Sequence, residues 1–77
     1  MYFAKDEIIE LNDNKKYLVI DTTIVDDIVY YKIKEILNNI LIGDFIYVTT
    51  INKDSKIYIN DRLTSEELER VKEKFEN

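Results

Sequence analysis

Read for polarity alone, the chain falls into short apolar runs separated by clusters of turn-type residues. The clusters are Asn12-Asp13-Asn14, Asp26-Asp27, Asn38-Asn39 with Gly43-Asp44, and Asn52-Lys53-Asp54-Ser55. The runs between them are rich in Ile, Val, Tyr and Thr, which fit a pleated surface. They predict strands near residues 7–11, 16–25, 28–35, 44–51 and 56–60. Spacing this close leaves no room for crossover helices, so an antiparallel meander is expected.

Register sharpens this expectation. With Asp26-Asp27 as a two-residue turn, Val25 faces Ile28, Ile24 faces Val29, Thr22 faces Tyr31 and Ile20 faces Ile33. Leu18, Ile20, Ile24, Val29, Tyr31 and Ile33 then share one apolar face, while Asp21 lies opposite Lys32 on the other. In the last hairpin, Ile51 joined to Lys56 or Asn52 to Ile57 puts Ile46, Val48, Ile57 and Ile59 on one face. Phe45, Tyr47, Thr49 and Tyr58 then point to the other.

The end of the chain changes period. Thr64-Ser65-Glu66-Glu67 is a capping box, and Leu63 with Leu68 completes a hydrophobic staple. Leu68, Val71 and Phe75 form an i, i+3, i+7 stripe, and Glu66 and Arg70 an i, i+4 pair. Together they predict a helix over 64–76 that covers one end or edge of the sheet. The segment Ile36-Leu37-Asn38-Asn39-Ile40-Leu41-Ile42 fits neither period. It reads as a helical turn or an apolar loop folded over the barrel end, and burial is favoured over a binding surface because apolar side chains usually lie inside.

Composition narrows the choices. The 77 residues make one domain, and 45% of them are hydrophobic, so a compact aliphatic core is expected, with self-association an alternative source of stability. There is no Cys and no His, which excludes disulfides, most zinc sites, common catalytic triads and thiol nucleophiles. The stretch from Met1 to Glu7 lacks the basic and apolar regions of a signal peptide, and Ile40-Leu41-Ile42 is far too short to span a membrane. A cytoplasmic setting without a membrane partner is therefore expected. The net charge of −5 disfavours generic binding to duplex DNA or anionic lipid.

Candidate chemistry is sparse. Leu18-Val19-Ile20-Asp21-Thr22-Thr23 is similar to the hydrophobic-Asp-Thr-Gly loop of aspartic proteases, but Thr23 stands where Gly is needed and the segment reads as mid-strand. Asp26-Asp27 lacks the Gly and spaced ligands of a calcium loop, and Asp is an ordinary turn residue. Lys15-Lys16, Lys53 and Lys56, with Tyr17 and Tyr58 near them, suggest a small basic-aromatic patch for single-stranded nucleic acid. Edge and turn lysines that discourage aggregation explain them more simply. Tyr17, Tyr30, Phe45, Tyr47 and Tyr58 share the face opposite the aliphatic one under the registers above. Unless the helix covers that face, they form a protein contact site. No catalytic residue, metal ligand or cofactor site is expected.

The order Asp6-Glu7-Ile8-Ile9-Glu10-Leu11, the Asn12–Asn14 turn, Lys16-Tyr17-Leu18-Val19-Ile20 and then Tyr30-Tyr31 resembles small uncharacterised proteins of low-GC Gram-positive bacteria, their phages and mobile elements. Many of these also end in an acidic strand-to-helix segment like Asp61 to Phe75, although Asp27 stands where Gly is commoner. The opening resembles the first hairpin of SH3-like barrels, and the likeness covers most of the chain. It implies a fold and carries no activity.

The expected fold is α+β and mainly β, a five-stranded antiparallel meander forming an SH3-like barrel or strongly bent sheet, with one C-terminal helix. The expected function is a non-enzymatic protein-binding or accessory domain, with homodimerisation compatible. One alternative is an acidic inhibitor, a phage-encoded antagonist or immunity-type protein, occupying a basic enzyme site. The other is weak single-stranded nucleic-acid binding through the lysine turns.

Overall fold

The computed structural model describes residues 3–11 and 13–76. Met1, Tyr2, Asn12 and Asn77 lie outside the described residues, so the start of the N-terminal stretch and the first residue of the predicted Asn12–Asn14 turn do too. The elements are β1 (Ile8–Glu10), β2 (Lys16–Val25), β3 (Ile28–Leu37), β4 (Ile40–Lys53), β5 (Lys56–Asn60) and α1 (Ser65–Glu76). The five strands lie in chain order, each antiparallel to the next, in a sheet curled into a half-barrel.

Three of the connections are two-residue turns with positive φ at both residues: Asp26-Asp27, Asn38-Asn39 and Asp54-Ser55. This is the type I′ geometry, whose twist matches that of the flanking strands. Asn and Asp, which hold all of these positions but Ser55, enter the left-handed region at lower cost than other side chains, so the turns form without glycine.

The predicted register of the central hairpin holds from the turn to Asp21, which pairs with Lys32. Beyond it the pairing shifts: Val19, not Ile20, lies opposite Ile33. Ile20 is the extra residue of a β-bulge, and one extra residue moves every later side chain to the opposite face. Tyr17 and Val19 therefore enter the core, while Leu18 and Ile20 are only half-buried. The core on the inner face is Ile9, Tyr17, Val19, Tyr31, Ile33 and Val48, flanked by Phe3, Leu11, Val29, Ile46 and Ile59. Phe3 meets Tyr31 edge to face with ring centroids 5.2 Å apart. The last hairpin takes the Asn52–Ile57 pairing, which keeps Ile46, Val48, Ile57 and Ile59 on the inner face as predicted.

The helix starts where its cap predicts. The Glu67 N–H donates to Thr64 Oγ1 at 3.1 Å, and the Thr64 N–H donates to Glu67 Oε1 at 3.3 Å. Val71 is fully buried, and Leu68 and Phe75 are half-buried beside it. The helix lies on the outer face, where it touches β2 and β4. Arg70 pairs with Asp26 of the first hairpin turn at 3.3 Å, rather than with Glu66.

The segment 36–42 departs from its predicted burial. It is neither a helical turn nor a loop but the end of the β3–β4 hairpin, with Leu37 opposite Ile40, Ile36 opposite Leu41 and Glu35 opposite Ile42. The strands β3 and β4 thus run further than 28–35 and 44–51. Between the pairs Glu35–Ile42 and Ile33–Ile46, Lys34 alone faces Gly43, Asp44 and Phe45. Gly43 has φ +76° at this irregularity with open space around its Cα, so backbone conformation, not crowding, selects glycine. The hairpin end extends beyond the core: Leu37 is 56% exposed and Ile40 63%.

Candidate functional site

Alternation along the strands keeps Tyr30, Phe45, Tyr47 and Tyr58 on the outer face, and of the five residues predicted to share it only Tyr17 leaves. Tyr17 belongs to the inner core because of the bulge at Ile20, which corrects its predicted placement. Its hydroxyl donates to Asp13 Oδ2 at 2.9 Å. Tyr30 does lie on the outer face, but beneath the helix, where its hydroxyl donates to Glu67 Oε2. Glu67 thus caps the helix with one oxygen and anchors it to the sheet with the other. Tyr47 is half-buried, its ring centroid 5.7 Å from that of Phe75, with Lys72 Nζ 5.8 Å from its ring. Only Phe45 and Tyr58 are exposed.

Tyr17 and Tyr30 are both pushed up to about 12, first by burial and then by the carboxylate each one faces. The unfolded chain releases these protons near pH 10, whereas the folded chain holds them to about 12. The native state then binds more protons across that window, so its stability is full below it and falls as pH rises through it. Urea unfolding at a series of alkaline pH values should show this fall. Tyr30→Phe should make it shallower, and an equally steep fall in that variant would remove Tyr30 as a cause.

The helix covers only part of the outer face, around Tyr30, Thr49 and Tyr47. The rest is bare. Ile8 pairs with Leu18 and Leu18 with Lys34, so these three form a row across β1, β2 and β3. Phe45 adjoins the row, with Lys32 Nζ 4.3 Å and Lys34 Nζ 4.7 Å from its ring centre. The pair Ile36–Leu41 continues the apolar surface outward, and Leu37, Ile40 and Ile42 bring it round the hairpin end to the inner side. An apolar surface of this kind, with Lys34 set into it, marks an interaction site more reliably than scattered exposed residues do.

None of these side chains stood among the aromatic residues singled out from the sequence, apart from Phe45. The usable signal was the apolar run on both sides of Asn38-Asn39, which alternation alone assigns to no face.

Two smaller hollows adjoin the sheet. One, of about 420 Å³, lies between β4 and the start of the helix and is lined by Asp44, Phe45, Tyr47, Leu63, Leu68 and Lys72. Leu63 and Leu68, the expected staple pair, both line it. The other is an open cleft of about 660 Å³ between β1 and β5, with Glu10, Asp13, Asp61, Arg62 and Tyr58 in its lining. Asp13 is held below the usual carboxylate range, chiefly by the Lys15 backbone N–H and also by the Tyr17 hydroxyl.

Other candidates find ordinary structural roles. Asp21 is an exposed strand residue whose carboxylate accepts the Thr22 N–H at 2.9 Å. Lys15 Nζ lies 3.9 Å from Glu35, and Lys53 pairs with Lys56 beside the last turn. The basic-aromatic patch loses one of its two rings, because Tyr17 is inside the core. Among the described residues no helix is long and apolar enough to cross a membrane. Comparison with family models, curated proteins and solved structures returns no match.

Proposed function

We propose that this chain is a non-enzymatic, cytoplasmic protein-binding domain whose contact surface is the β3–β4 hairpin end and the bare half of the outer face. The observation that carries the reading is the exposure of Leu37, Ile40, Leu41 and Ile42 on a structured hairpin. Covering the exposed parts of four such side chains contributes on the order of 3–6 kcal/mol. Micromolar binding needs about 8 kcal/mol. The contact must therefore reach beyond the hairpin end, and Ile8, Leu18, Ile36 and Phe45 supply that extension.

The buried Tyr17 and Tyr30 offer no base or nucleophile. A phenol acting as base or nucleophile is served by a lowered pKa, whereas Tyr17 and Tyr30 are raised to about 12. The net charge of −5 supports a second reading, an acidic inhibitor seated on a basic enzyme site. Salt separates the two.

The test is a pull-down from nuclease-treated source-cell lysate at low and high salt, with the wild type beside a Leu37→Ser/Ile40→Ser variant. The proposed surface requires a stoichiometric partner that survives high salt and disappears with the variant. A partner that the variant retains would place the contact elsewhere, and one that salt alone releases would favour the acidic inhibitor.

A further inference from the structure

A half-barrel leaves two strand edges open, and here they face one cleft. Among the described residues β5 pairs only with β4, and β1 only with β2. The two-residue turn makes Lys53 and Lys56 a hydrogen-bonded pair, so Ile57 and Ile59 direct their backbone N–H and C=O groups away from β4. On the other side the Val19 N–H donates to the Glu7 C=O at 2.9 Å and the Leu11 N–H to the Lys15 C=O at 3.1 Å. Residues 7, 9 and 11 therefore bond inward, and Ile8 and Glu10 direct their backbone groups outward.

In a meander the first and fifth strands run parallel, so a segment between them would run antiparallel to both. Five residues of β5 offer an edge of about 16 Å. The edge is short and begins with Lys56, but the chain has no proline and β5 contains no bulge, so backbone pairing along Ile57 and Ile59 is not blocked. Glu10, Asp13 and Asp61 line the cleft against the single cation Arg62.

We infer that the cleft between β5 and β1 accepts an extended segment of a partner protein as a sixth, antiparallel strand, with basic side chains alternating with apolar ones. Backbone groups of Ile57 and Ile59 supply the affinity, alternate apolar side chains meet the inner-face edge at Leu11 and Ile57, and the carboxylates select the charge. This site lies on a different surface from the hairpin and stands or falls independently of it.

The experiment uses the full chain and a short blocked peptide alternating lysine and valine, with its glutamate–valine counterpart as control. Amide hydrogen exchange by NMR should show Ile57 and Ile59 slowed at least about tenfold by the lysine peptide and unchanged by the glutamate one. Affinity should fall at least about tenfold when salt is raised from low to near-molar concentration. Ile57→Pro removes an outward N–H on an edge strand, where proline is tolerated, and should weaken binding about tenfold. Asp61→Asn, which leaves every backbone group in place, should weaken it and flatten its salt dependence. Leu37→Ser/Ile40→Ser should leave it unchanged. Equal binding of the two peptides, no binding, or protection away from β5 and β1 would overturn the inference. Protection of Ile57 and Ile59 that grows with protein concentration alone would also overturn it, assigning the edge to a second copy of the chain.

Discussion

Replacing Ile33 with alanine is expected to leave the domain largely unfolded at room temperature. Ile33 is fully buried at the centre of the inner face, opposite Val19 on one side and Ile46 on the other. Truncating such a side chain removes about 2–5 kcal/mol, the loss of transfer energy plus the cavity left behind. A domain of this length has a total stability of only about 4–11 kcal/mol, and a curled sheet with one helix belongs at the low end. Ile40→Ala is the matched control. It deletes the same groups from a side chain 63% exposed and should shift stability by less than about 0.5 kcal/mol. Urea unfolding of both variants checks the pair. If they lose similar amounts, the inner face is not the core.

A charge at Val71 is expected to do comparable damage from the opposite side of the sheet. Val71 is the only fully buried residue of the helix and faces the outer surface above the sheet. Aspartate there puts a carboxylate in an apolar site one turn from Glu67, with desolvation and like-charge repulsion both opposing it. The expected loss is more than about 3 kcal/mol. The helix tether at Tyr30–Glu67 should fail with it, since that hydroxyl is desolvated only while the helix is docked. Far-ultraviolet and tyrosine signals should then melt together. A helix that melts first over a persisting sheet would show that the inner face is sufficient by itself.

Residues whose partners are near in sequence were legible; those whose placement depends on distant chain were not. The capping box at Thr64 and Glu67 and the turn at Asp26-Asp27 need only a few neighbouring residues, and both form as read. The second oxygen of Glu67 could not be read, because its partner Tyr30 lies on another strand. Strict alternation cannot register an extra residue, so the bulge at Ile20 reversed the reading of Tyr17, Leu18 and Val19 together. The hairpin end at 36–42 was misread for a different reason. Burial of apolar side chains is a tendency of the fold as a whole, and a projecting hairpin departs from it where Leu37 and Ile40 face solvent.

The order of the strands also governs how the chain can assemble. Every sheet contact joins sequence neighbours, so three of the four pairings need no more than a two-residue loop to close. Closure entropy rises with loop length, and topologies built from local contacts fold quickly. The helix is the exception: Arg70 reaches Asp26 across 44 positions, and Glu67 reaches Tyr30 across 37. Zippering of the hairpins is thus the rapid, local part of folding, and docking of the helix is the step with the long search.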